Sequence, residues 1–123
     1  MDLQSFTPTQ CQALLDLAVM GMYADGHLAA EEQQRVERLL TAMGLLSEYE
    51  QARLFDDAVA RVSRSAGDPQ RQAAQLQALT QVFSTPEQRR SVHEMLRDLV
   101  SSDGKVTPQE SQFLSLLRDA LQL

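Results

Sequence analysis

The chain has 123 residues, 43% of them hydrophobic, enough for a single domain with a real core, since a chain of this length buries roughly two-thirds of its unfolded surface. Eleven basic against 17 acidic side chains give a formal net charge of −6, which argues against a nonspecific phosphate-backbone binder, because that activity needs a basic face to release counterions. One cysteine makes no internal disulfide, the N-terminal Met1-Asp2-Leu3-Gln4 lacks the features of a signal peptide, and no segment approaches the ~18 apolar residues of a membrane helix. The expectation is a cytosolic domain spanning 1–123, with no membrane insertion and no nucleic acid as partner.

Helix starts are written along the chain as capping boxes, Ser/Thr-X-X-Glu/Gln. They occur at Thr7-Pro8-Thr9-Gln10, Ser47-Glu48-Tyr49-Glu50, Thr85-Pro86-Glu87-Gln88 and Thr107-Pro108-Gln109-Glu110, three of them with proline at the first helical position. Asp68-Pro69 gives a fifth start by the same logic, and the segment Gly26 to Ala29 requires a sixth helix beginning near Ala30. Gly26, Gly44, Gly67 and Gly104 each follow a periodic segment and suit a left-handed terminal position. The predicted helices lie near 8–24, 30–43, 48–65, 69–83, 86–101 and 108–121.

Apolar residues recur at spacings of three and four within these segments: Leu14, Leu15, Ala18 and Met22; Val36, Leu39, Leu40 and Met43; Leu54, Ala58 and Val62; Leu76, Leu79 and Phe83; Phe113, Leu114, Leu117 and Leu121. No segment alternates as a strand between hairpin turns. The fold class expected is all-α, one domain of about six helices.

One motif occurs twice. Asp25-Gly26-His27-Leu28-Ala29-Ala30-Glu31-Glu32 and Asp103-Gly104-Lys105-Val106-Thr107-Pro108-Gln109-Glu110 share Asp-Gly-X-apolar-X-X-X-Glu, 78 residues apart. The flanks correspond at the same offset: Leu14 with Val92, Leu17 with Met95, Met22 with Val100, Val36 with Leu114 and Leu39 with Leu117. The predicted unit is therefore helix, loop, helix, made twice around an internal pseudo-twofold, and symmetric packing would bring four carboxylates to a common place. The spacing matches the second half of a calcium-binding EF-hand loop. The first half fails, because its leading ligand positions fall on Gly21 and Tyr23 in one copy and on Leu99 and Ser101 in the other.

With this spacing the chain resembles the tellurite-resistance TerB-like family, including the N-terminal domains of certain membrane-anchored DnaJ-type co-chaperones, over nearly its whole length. The resemblance implies an all-helical fold with internal pseudosymmetry and a candidate divalent-cation site in which Asp25, Glu32, Asp103 and Glu110 would be the ligands. Ca²⁺, Mg²⁺ or Mn²⁺ would suit such hard oxygen ligands. Many relatives carry a further acid where this chain has His27 and Lys105, so its site would be less negative. His27 is a weaker candidate ligand beside Asp25, a loop histidine being more often solvated.

A structural reading of the same motif stands beside the cation reading. Asp-Gly is a common way to end a helix and turn, and Glu110 already serves as the third helical residue of a capping box. Glu32, by contrast, is present although its capping partner is Ala29. Elsewhere, Cys11 on an apolar face reads as a buried small hydrophobe, His93 as a residue at the edge of an apolar stripe, and Asp16, Glu94 and Asp98 as acids that either extend an acidic surface or pair with Arg97. No nucleophile with an adjacent base, phosphate-cradling glycine loop or zinc-like Cys/His set is present. The function expected is a noncatalytic accessory or interaction domain that engages another protein, with the paired acidic loops as a cation site. A metal-free adaptor is the alternative, and a metal-dependent hydrolase a distant one.

Overall fold

Thr7 and Gln10 close the first helix start in both directions. The Gln10 N–H donates to Thr7 Oγ1 at 3.1 Å, and the Thr7 N–H donates to Gln10 Oε1 at 3.0 Å, so two otherwise orphaned donors are satisfied reciprocally. Ser47 Oγ accepts from the Glu50 N–H at 3.4 Å, and Thr85 Oγ1 from the Gln88 N–H at 3.1 Å. Asp68 Oδ1 accepts from the Gln70 and Arg71 N–H groups at 3.1 and 3.2 Å. Every one of these caps was legible as a sequence pattern. The computed structural model describes residues 6–22, 30–42, 44, 47–65, 67–100 and 108–123, with the side chains of 30–33 left aside. Over these residues the chain forms six helices and no strand: α1 (Pro8–Met22), α2 (Ala30–Ala42), α3 (Glu48–Ser63), α4 (Pro69–Thr80), α5 (Pro86–Val100) and α6 (Pro108–Ala120).

All six starts fall where expected, and of the ends that described residues follow, those of α3, α4 and α6 come two, three and one residues early. The α3 and α4 ends have identifiable causes. After α3, the buried Ser65 turns its hydroxyl to the Val62 carbonyl at 3.0 Å and to Gln75 Oε1 at 2.5 Å, local bonds that compete with continuing the helix. After α4, the Phe83 N–H bonds the Thr80 carbonyl, and the ring is buried completely, packed at 5.6 Å against Phe6. Burying a phenyl ring is favourable by about 2 to 3 kcal/mol, more than one further helical residue offers. Gly44 and Gly67 take φ of +93° and +82°, the left-handed conformation expected at helix ends, whereas Gly26 and Gly104 lie outside the described residues.

The core is organised around α1, which packs against every other helix. From Ala13 to Met22 each of its residues is buried. The sequence Ala-Leu-Leu-Asp-Leu-Ala-Val-Met-Gly-Met is apolar on all sides but one, and a helix of that kind belongs in the centre of a bundle. The stripe expected on α1 is thus only part of the surface it buries. α5 packs on α1 and brings Val92 and Leu96 to the core, and α6 completes it with Phe113 and Leu117, followed by Leu121 just past the helix end. None of the described helices is long and apolar enough to cross a membrane.

Candidate functional site

Asp25, His27 and Asp103 lie outside the described residues, and Glu32 sits on α2 with its side chain likewise outside them. Glu110 is described: it occupies the first turn of α6 and is 6% exposed. Among the described residues no group of three or more His, Cys, Asp or Glu side chains is arranged to hold a metal ion. The structure therefore gives the frame around the two motifs.

That frame is crossed. α1 and α5 run into the first and second motifs, and α2 and α6 lead out of them. Near the end of α1, Gly21 lies against α6 so closely that a Cβ there would stand 2.7 Å from Phe113 Cε2. Near the end of α5, the Leu99 carbonyl accepts from Arg35 Nη1 of α2 at 3.4 Å. Gly21 and Leu99 correspond at the 78-residue offset, as do Arg35 and Phe113. The helix entering each motif thus touches the helix leaving the other. Glycine at 21 is explained by this close approach, since a ring edge occupies the space a side chain would need.

The remaining acids divide by burial. Asp16 does not join an acidic surface and does not pair with Arg97. Its carboxylate, 4% exposed, accepts two hydrogen bonds from Arg61 of α3, Nε to Oδ2 at 2.9 Å and Nη2 to Oδ1 at 2.8 Å, the bidentate geometry that best compensates a desolvated charge. The pairing raises the Arg61 guanidinium above its ordinary value, through the hydrogen bond to Asp16 first. The Arg61 carbonyl accepts from Gln75 Nε2 at 3.3 Å, so the pair ties α1, α3 and α4 together. Sequence reading missed this partner, although the position held a signal. A charge flanked by Leu15 and Leu17 in a helix apolar on every other side has to be neutralised from a neighbouring element. Glu94 and Asp98 are exposed on α5, and Asp98 lies 4.0 Å from Arg97.

His93 is half-buried on α5, at the boundary position expected. Burial pushes its imidazole below the ordinary range, and Arg97 and Arg118 push in the same direction. Cys11 is half-buried, and burial raises its thiol, the opposite of what activates a nucleophile.

No curated protein and no solved structure matches the chain. A family model does, that of the tellurite resistance protein TerB, over residues 11–123. That match takes in all six helices, apart from the first turn of α1, and both Asp-Gly motifs, and on it the chain belongs to the TerB family of tellurite-resistance-related domains.

Proposed function

We propose that this TerB-family domain acts as a noncatalytic accessory module that engages another protein, and that its two motifs act jointly as a divalent-cation site formed by Asp25, Glu32, Asp103 and Glu110. The observation that carries the joint reading is the crossing of the flanking helices, Gly21 on Phe113 and the Leu99 carbonyl on Arg35. A chain segment can move away from its anchor by no more than about 3.5 Å per residue, and Asp25 and Asp103 each follow their helix by only three residues. Packing of α1 on α5, with α2 on α1 as α6 is on α5, supports the internal pseudo-twofold that would bring the carboxylates together. Carboxylates gathered near one another repel, and a hard cation relieves that repulsion.

The test is thermal unfolding of the protein in chelator against Ca²⁺, Mg²⁺ and Mn²⁺. A cation at about 100 times its dissociation constant adds roughly 2.7 kcal/mol, which in a domain of this size raises Tm by on the order of 10 °C. Asp25→Asn/Asp103→Asn should abolish the shift and leave the helical signal intact, since asparagine can still occupy the turn. His27→Ala should weaken the shift only if the imidazole is a ligand. If millimolar concentrations of all three ions leave the melting curve unmoved and calorimetry detects no heat of binding, the metal-free adaptor reading stands in its place.

A further inference from the structure

The two crossings between the halves are made by different chemistry. α6 meets α1 by close packing, the Phe113 ring against Gly21, while α2 reaches α5 through a long polar side chain, Arg35 Nη1 donating to the Leu99 carbonyl at 3.4 Å. Phe113 and Arg35 stand at corresponding places, 78 residues apart. We propose that Arg35 is the positioning residue of the second motif, holding the helix that carries Glu32 against the end of the helix that leads to Asp103. The assignment rests on the cation reading of the paired motifs.

The guanidinium arrives at a helix end. α5 closes at Val100, so the Leu99 carbonyl belongs to its last four, the group that a helix leaves for outside donors. The dipole of α5 also favours a positive charge there. α1, which leads into the first motif, has no basic residue in its last turn and takes a phenyl ring instead. Arg35 is half-buried, and a charged donor held partly out of water bonds a carbonyl more strongly than one on an open surface.

Spacing along the chain connects this bond to the motif acids. Arg35 follows Glu32 by three positions, nearly one turn of α2, and Leu99 precedes Asp103 by four. A bond between positions 35 and 99 therefore limits how far the backbones at 32 and 103 can separate. The guanidinium faces the negative end of the α5 dipole, which offsets part of the repulsion it would exert on an incoming cation. Loss of Arg35 is expected to weaken cation binding, not to strengthen it.

Arg35→Gln in the full chain tests the assignment. Arg38→Gln is the control, the same loss of charge at an exposed position three residues further along α2. Amide exchange is followed by NMR without cations, and calorimetry follows titration with Ca²⁺, Mg²⁺ and Mn²⁺. Arg35→Gln should speed exchange in the last turn of α5, Arg97 to Val100, about fivefold, the effect of losing one ordinary hydrogen bond, and leave the last turn of α1, Val19 to Met22, as in the wild type. It should also weaken cation binding about tenfold, as removing a residue that orients a ligand does, while Arg38→Gln does neither. Exchange that rises equally at both helix ends, or at neither, overturns the assignment, and so does a cation affinity that is unchanged or increased. A wild type that binds none of the three ions removes the cation reading instead, and exchange at the end of α5 then decides by itself whether Arg35 holds that helix.

Discussion

Gln10 and Gln88 meet across the start of the bundle, with Gln10 Nε2 donating to Gln88 Oε1 at 3.4 Å. They are the last residues of the Thr-Pro-X-Gln boxes that open α1 and α5, and they stand 78 positions apart, the same offset that separates the two Asp-Gly motifs. Gln10 does more than cap: it is buried, its oxygen accepts from the Thr7 N–H, and its nitrogen also donates to the Val82 carbonyl at 2.9 Å, ahead of the buried Phe83. Gln10→Ala should therefore destabilise by about 2 to 3 kcal/mol, a lost cap plus a carbonyl left without this donor, readable in urea unfolding. Gln88→Ala should cost less, because Gln88 is only half-buried. Equal losses would count against the Val82 bond as the difference.

Gly21→Ala tests the close approach of α1 to α6. Alanine is the better helix former by about 1 kcal/mol, so in an open helix the substitution would stabilise. Here the added methyl would meet the ring of Phe113, itself 6% exposed, and the ring has little room to retreat. Overpacking costs typically about 1 to 3 kcal/mol, and a net loss of stability is expected. Gly21→Ala/Phe113→Leu should regain part of it, and a double-mutant cycle that shows no coupling would contradict the contact.

Breaking the Asp16 and Arg61 pair from one side leaves a desolvated carboxylate. Arg61→Met should cost about 3 kcal/mol, while Asp16→Leu/Arg61→Met should recover much of that loss, because an apolar pair of similar size needs no compensation. Chemical denaturation of the two variants gives the comparison. A double variant no more stable than Arg61→Met would mean that the pair contributes net stability.

For His93 the sign follows from its environment. Its folded pKa lies below the ordinary, unfolded value, so the unfolded chain binds the proton more readily and stability falls as pH drops through the imidazole range. Burial is the main cause, Arg97 and Arg118 add to it, and the Leu114 backbone and Glu94 oppose it. His93→Gln should flatten this part of the pH profile relative to wild type between neutral pH and pH 5. A difference curve that instead rises toward low pH for the wild type would reverse the assignment.

The boundaries of this fold are local chemistry, and local chemistry is what a sequence states openly. Threonine, serine and aspartate caps, most with proline at the first helical position, made five of the six starts legible, and the glycine-led segment from Gly26 to Ala29 the sixth, because each signal acts within about four residues of itself. The repeat at 78 residues and the family were legible for a similar reason, being patterns of identity along the chain. What tertiary structure alone decided is which distant groups meet. It made α1 the central helix, took Asp16 out of any acidic surface and gave it to Arg61, set Phe113 where only glycine at 21 leaves room, and ended α4 so that Phe83 could be buried against Phe6. Each of these depends on burial between segments far apart in sequence, where desolvation and close packing outweigh the propensities that any one segment carries.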